Sequence, residues 1–257
     1  MYLKVTIIQS DLVWENIEAN LNNFTEKIQL IKENTDLIIL PEMFASGFSM
    51  NPSKFSSDQE KVIQKMKEFS VLKNAVVTGT VITEKNGQFF NTLIWMTPDG
   101  TYKTYNKRHL FSFAGEDKFY SQGKDHLLVS LKGWKIMPLI CYDLRFPVWS
   151  RNTNNYDLLI YVANWPERRN DVWKTLLKAR AIENQSYVIG VNRVGNDGNA
   201  IYHSGDSGVY DAKGNKISKT KAHEESIETL LLDKDKLNAF REKFPVGKDA
   251  DNFRIIH

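Results

Sequence analysis

The chain has 257 residues, of which 42% are hydrophobic and 25% charged, enough apolar content for a sizeable core at an ordinary charge load. Its net charge of +3 is too mild and too dispersed to imply a nucleic-acid partner, no apolar run approaches the ~18 residues of a membrane span, and Met1 to Gln9 lacks the pattern of a secretory signal. A single cysteine, Cys141, excludes an internal disulfide and suits a reducing, cytoplasmic setting.

In chain order, Leu3–Gln9 reads as a first strand, with Val5, Ile7 and Ile8 apolar. Asn16–Lys32 reads as a helix, because Ile17, Leu21, Phe24, Ile28 and Ile31 recur at spacings of three and four and share one face. Leu37–Leu40 is a continuous apolar strand stopped by Pro41, which places Glu42 just past a strand end. A loop carboxylate is about as often merely solvated as functional. Ser46–Ser57 is polar, with Gly47 and Pro52, and reads as loop; Gln59–Phe69 reads as a second helix. Val76–Thr83, Gln88–Met96 and Thr101–Tyr105 read as an antiparallel meander turned at Asn86-Gly87 and Pro98-Asp99-Gly100.

Lys103, Lys107, Arg108 and His109 then form a basic cluster, ordinarily a solvated patch. Leu110, Phe111 and Phe113 follow at once, so the backbone is expected to tuck inward and let the Lys107 stem carry its ammonium to a pocket. Glu116, taken alone, is an unremarkable loop acid. The run Ile136–Ile140 is short enough for a buried strand, and Arg145-Phe146-Pro147 turns the chain behind it. Cys141 therefore falls at the C-terminal end of a core strand. A lone cysteine after an apolar run is usually inert core, yet strand ends of this kind are where open α/β folds bind ligands.

Tyr156–Ala163 is another apolar strand and ends in Asn164-Trp165-Pro166. Val172–Gln185 is a helix carrying Leu176, Leu177, Ala179, Ala181 and Ile182, on which Arg180 and Glu183 can pair with neighbours. Tyr187–Val194 reads as a strand and Gly195–Gly198 as a turn. Gly208–Asp211, Lys216–Ser218 and Glu228–Leu232 read as short antiparallel strands, the first pair turned at Gly214-Asn215, and Lys234–Phe244 as a short helix. No linker, low-complexity run or charge block interrupts the alternation, so residues 1–257 are expected to form one domain.

A thiol with a carboxylate and an ammonium nearby can attack an amide or nitrile carbon. The nucleophile is the thiolate, which a free cysteine forms with a pKa of about 8.5. The Lys107 ammonium is expected to lower that value, and Glu42 to take the thiol proton as general base. Charge then develops on the substrate oxygen, where two donors are wanted; Lys107 and the backbone N–H of Tyr142 are the candidates. Glu42 can next protonate the departing ammonia and activate water to hydrolyse the thioester. Paired Cys ligands, His-Glu-x-x-His, the dinucleotide glycine fingerprint and the P-loop are all absent, so neither a metal nor a cofactor is expected.

The order of these groups resembles the nitrilase superfamily of carbon–nitrogen hydrolases. The resemblance runs from Val5 to about Phe253, carried by Leu-Pro-Glu-Met-Phe at 40–44, Tyr-Asn-Lys-Arg-His-Leu-Phe at 105–111, Cys-Tyr-Asp-Leu-Arg-Phe-Pro at 141–147 and Ala-Arg-Ala-Ile-Glu-Asn-Gln at 179–185. It implies a four-layer α-β-β-α sandwich, usually a homodimer, with Glu42, Lys107 and Cys141 as triad and Glu116 as a second active-site glutamate orienting substrate and lysine. Within the superfamily the chain is most similar to the bacterial omega-amidases, which hydrolyse the terminal amide of 2-oxoglutaramate and similar 2-oxo acid amides. Tyr-Val-Ala-Asn-Trp-Pro at 161–166, Asn-Arg-Val-Gly at 192–195 and Arg-Glu-Lys-Phe-Pro at 241–245 support that subgroup. Many relatives carry Glu directly after Arg-Phe-Pro, where this chain has Val148. That removes one possible ion pair and leaves the triad intact.

The expected partners are thus a small-molecule amide and water. A substrate carboxylate needs a cation, and Arg145, Arg169 and Arg193 are candidates; Arg169 is favoured because it follows the Asn164-Trp165-Pro166 strand end, with Trp165 and Phe113 walling the cleft. The rival readings are another superfamily activity (N-carbamoyl amine amidohydrolase, deaminated-glutathione amidase or aliphatic nitrilase), a binding module of the same fold, a redox cysteine, or a papain-like pair. The last would draw on His109, His126, His203, His223 or His257.

Overall fold

The computed structural model describes residues 1–255. Strands β1 (Tyr2–Gln9), β2 (Leu37–Ile39), β3 (Val76–Lys85), β4 (Gln88–Met96) and β5 (Tyr102–Asn106) lie side by side in that order, parallel through β3 and antiparallel from there. A second sheet is built from β6 (Val129–Leu131), β7 (Trp134–Ile140), β8 (Leu158–Ala163) and β9 (Tyr187–Asn192). A small hairpin follows, β10 (Val194–Asn196) with β11 (Tyr202–Ser204), before β12 (Gly208–Tyr210) joins the far edge in the order β12-β9-β8-β7-β6. The last strand, β13 (Ser226–Asp233), goes back to the first sheet and runs antiparallel along the whole of β1.

The apolar runs are continuous because both faces of each central strand are covered. Leu3, Val5 and Ile7 of β1, Leu37 and Ile39 of β2, and Leu93 and Trp95 of β4 face the second sheet. Their neighbours Ile8, Ile38, Ile94 and Met96 face the other way, toward α1 (Ile17–Leu30) and α3 (Gln59–Lys73), which follows the one-turn α2 (Pro52–Phe55). Period-two alternation thus feeds two cores from one strand. On the far side of the second sheet, beyond the one-turn α4 (Pro147–Ser150), α5 (Asn170–Asn184) inserts Trp173, Leu177 and Ala181. The layers are therefore α-β-β-α, as the sequence implied. The C-terminal α6 (Lys234–Lys243) adds Leu237 to the core around the second sheet.

Helix α1 begins where the sequence placed it, with the Asn16 side chain accepting from the Ala19 N–H at 3.1 Å. Several boundaries differ. Ser46–Ser57 is not all loop, since Pro52 supplies an N-terminal helical position for α2. The expected Tyr187–Val194 strand stops at Asn192, whose side chain bonds back to Trp165 and Gly205, and the expected turn at Gly195 lies within β10. Lys216–Ser218 contributes only an isolated bridge to Tyr210, and Glu228–Leu232 belongs to β13 on the other sheet. No helix among the described residues is long and apolar enough to cross a membrane.

Candidate active site

Glu42 and Cys141 arrive from different sheets, Glu42 just past β2 and Cys141 at the end of β7. The turn after Pro41 is tight: Met43 takes a left-handed φ of 45°, and its N–H donates to Thr80 Oγ1 at 2.6 Å. Gly79 makes room for it, since a Cβ there would lie 2.9 Å from Leu40 Cβ. Cys141 also has a left-handed φ, 42°, at the start of a 3-10 turn spanning Cys141–Arg145. A cysteine rarely adopts that backbone unless its surroundings impose it, and the effect is to turn the thiol out of the sheet toward Glu42.

Lys107 leaves β5 fully buried. Its N–H donates to the Asn91 carbonyl at 2.9 Å and its carbonyl accepts from Gly123 N–H at 2.8 Å, which fixes the backbone. Its Nζ donates to Glu42 Oε1 at 2.9 Å and to both oxygens of Glu116, at 3.0 and 2.9 Å. Glu116 is held in turn by the Phe111 N–H at 2.5 Å. Glu42 accepts further bonds from Asn91 Nδ2 at 2.8 Å and from the Asn164 N–H at 2.8 Å. Two carboxylates and one ammonium are thus buried together, a combination tolerable only because each charge is paired and bonded.

Burial alone would push the Lys107 ammonium to lose its proton, but the Glu116 and Glu42 carboxylates reverse that and hold it charged. Burial raises Glu116 above its ordinary value, against the pull of Lys107. The thiol goes the opposite way from the sequence-based expectation. Burial first, then the Glu42 charge, pushes the Cys141 thiol well up, and Lys107 only partly offsets this. Burial and the neighbouring Glu42 thus favour the neutral thiol at rest.

Cys141, Lys107, Tyr142, Arg145, Asn164, Trp165 and Arg169 line one pocket with Phe48, Phe111 and Pro166, a void of about 320 Å³ including its mouth. Arg145 lies 5.3 Å over the Trp165 ring and Arg169 lies 5.1 Å over Phe111. Among the described residues no carboxylate pairs with either guanidinium. The pKa of Arg169 is lowered by partial burial and then by the charges of Arg168 and Arg145.

Two expectations need correction. Phe113 does not wall the pocket; its ring is 78% exposed and touches the outer side of Arg169, and the wall is Phe111. Arg193 is buried away from the pocket and paired with Asp11 at 2.6 Å. The papain-like reading finds no support in the geometry, because no histidine among the described residues lines the pocket that holds Cys141; His257 lies outside the described residues. Sequence reasoning missed Asn91, whose side chain bonds both Glu42 and Glu116, the latter at 3.4 Å. The signal was an amide opening the buried, mostly apolar half of β4. Phe48 was also missed; its ring sits 5.0 Å from Lys107 Nζ. No cluster of metal-binding side chains occurs among the described residues.

Comparisons with known proteins show the family. A family model described as carbon–nitrogen hydrolase matches residues 4–242. The chain is 45% identical to the omega-amidase YafV of Escherichia coli (strain K12), covering 98% of each chain. It is 31% identical to the 2-oxoglutaramate amidase of Bacillus subtilis (strain 168), covering 95% of this chain and 96% of that one. Among solved structures it is similar to a CN-hydrolase superfamily protein of Xanthomonas campestris with an arsenic adduct in its active site. That match has a TM-score of 0.96 and 37% identity and covers 99% of both chains.

Proposed function

The chain belongs to the carbon–nitrogen hydrolase family, and on that footing we propose that it is an omega-amidase releasing ammonia from the terminal amide of a small 2-oxo dicarboxylic acid monoamide, such as 2-oxoglutaramate. The observation that carries the substrate class is the pair of carboxylate-free guanidiniums, Arg145 and Arg169, in the wall of the pocket that holds Cys141. Like charges set side by side in one wall repel, an anion between them relieves that, and an arginine binds a carboxylate in a fixed bidentate geometry. The names of the Escherichia coli and Bacillus subtilis relatives point to the same chemistry.

In this reading Glu42 takes the thiol proton as Cys141 Sγ attacks the amide carbon. The resulting oxyanion is met by the Lys107 ammonium and the Tyr142 N–H, and Glu116 keeps Lys107 in place. As the C–N bond breaks, Glu42 returns its proton to the nitrogen and ammonia leaves. Glu42 then deprotonates a water that attacks the thioester, and the Cys141 thiolate departs and is reprotonated. The raised thiol pKa fits this order, since proton and nucleophile move together and no free thiolate waits in the pocket. Asn164 lines the same pocket and is tied to the base, its N–H donating to Glu42 Oε2 at 2.8 Å and its Nδ2 to the Glu42 carbonyl at 2.5 Å. We further read the enzyme as a cytoplasmic two-fold homodimer, on the family resemblance and the commonness of such assemblies.

The test is kcat/KM for ammonia release from 2-oxoglutaramate beside succinamate, an N-carbamoyl amino acid and an aliphatic nitrile. The 2-oxo acid amide is expected to lead, and Arg169→Met to raise its KM far more than that of a neutral short amide. A nitrile or N-carbamoyl compound ahead by about tenfold, the scale of a real pocket preference, would overturn the substrate assignment.

A further inference from the structure

Asp143 lies two residues after Cys141, fully buried, with its carboxylate turned away from the pocket. One oxygen, Oδ2, accepts from the Ile140 N–H at 3.0 Å and from the Tyr105 hydroxyl at 2.7 Å. The other, Oδ1, accepts from the His109 N–H at 3.0 Å and faces His109 Nδ1 at 2.8 Å. Ile140 directly precedes the left-handed Cys141, and Tyr105 and His109 flank Lys107. A single carboxylate therefore ties both sides of the ammonium's segment to the nucleophile's elbow.

The histidine is held as firmly as the carboxylate. Its ring stacks on Phe146 with centroids 3.7 Å apart and planes 7° off parallel, and it meets Trp149 edge-on at 5.9 Å. Trp149 Nε1 in turn donates to the Tyr105 hydroxyl at 3.0 Å. His109 is the only ion-pairing partner of Asp143 among the described residues. The pair lies outside the reacting groups yet spans the two segments whose separation decides whether Sγ and Nζ serve one substrate atom.

We propose that Asp143 and His109 are positioning residues that hold Lys107 and Cys141 in register, the one through its four acceptor contacts and the other through its ring N–H. This rests on the assignment of Cys141 as nucleophile and Lys107 as its cationic partner. Misplacing reacting groups by about 1 Å can cost on the order of 10²-fold in rate, and locked supporting hydrogen bonds are what prevent it.

The substitutions separate this role from simple support of the fold. Asp143→Asn keeps the size, but its amide nitrogen faces a backbone N–H whichever way it is turned, so one of the two segments is released. His109→Phe keeps a ring on Phe146 and loses the donor. His109→Asn places a donor close to the Nδ1 position and loses the ring. The expected result is a fall in kcat of about 10²-fold for Asp143→Asn and about tenfold for His109→Phe, with KM within about twofold of wild type. His109→Asn should restore kcat to within about threefold of wild type even if its melting temperature drops.

Wild-type kcat in His109→Phe would overturn the proposal, as would a His109→Asn variant no better than His109→Phe, or losses confined to KM. Should Asp143→Asn fail to fold, the histidine pair carries the comparison. Turnover by Cys141→Ala would instead sink the catalytic assignment beneath it, so the two failures are read on different variants.

Discussion

Replacing Lys107 by Met removes the one cation that two buried carboxylates share, 2.9 Å from each. Two effects follow, and their sizes differ. Losing one oxyanion donor costs on the order of 10²–10³ in kcat, about 2.7–4 kcal/mol of barrier. Breaking a buried ion pair costs about 3–5 kcal/mol of stability when the partner stays charged. Here the partner has an escape, because the Glu116 carboxyl is already raised by burial and by Glu42, and Lys107 is what lowers it. Without the ammonium it goes higher and takes up a proton.

A carboxyl whose folded pKa exceeds its unfolded value, about 4.3, costs nothing below that value and destabilises increasingly as pH rises through the folded one. The melting deficit of Lys107→Met relative to wild type should therefore be small near pH ~5 and larger near pH ~8. The assay is ammonia release at saturating amide together with thermal melts at the two pH values. A kcat loss below about tenfold, or a deficit that shrinks as pH rises, would refute the reasoning.

Cys141→Ala should abolish turnover and leave the melting temperature close to wild type, because it removes one sulfur from a site whose charges pair among themselves; residual wild-type rates would end the nucleophile assignment. Alkylation of Cys141 by a neutral reagent should climb with pH past the ordinary thiol range, since burial and then Glu42 hold the thiolate back, and a plateau at neutral pH would contradict that. Light scattering at micromolar concentration should give the mass of a dimer, and a monomer mass would count against the assembly proposed above.

Much of the fold was legible because several core strands are short apolar runs with a break close behind them, as at Pro41, at Arg145-Phe146-Pro147 and at Asn164-Trp165-Pro166. Glu42 and Cys141 could be placed at strand ends from that punctuation alone. The direction of the thiol's shift was not legible, since it depends on how deeply the elbow sinks and how close Glu42 comes, and neither distance is written in the spacing. Phe111 and Phe113 are two residues apart, and a 3-10 turn at Ser112–Ala114 separates them, leaving Phe111 in the pocket wall and Phe113 outside. Asp143 stands inside the Cys-Tyr-Asp-Leu-Arg-Phe-Pro motif, but Tyr105 and His109, which it ties to the elbow, lie more than thirty residues away, beyond what local pattern reports. The β10–β11 hairpin was hidden for a similar reason: its strands are too short for alternation to register.

The first sheet begins with β1 and is bordered by β13, and the whole second sheet is encoded between them. As the chain grows on the ribosome, β1 must wait with one edge unpaired until residues 226–233 emerge. An unpaired edge of this kind recruits other chains, which makes the interval a window for aggregation or for a chaperone. It also delays the chemistry: Glu42 and Cys141 meet only when the two sheets pack, so a nascent chain holds an ordinary cysteine and becomes an enzyme in its last step of folding.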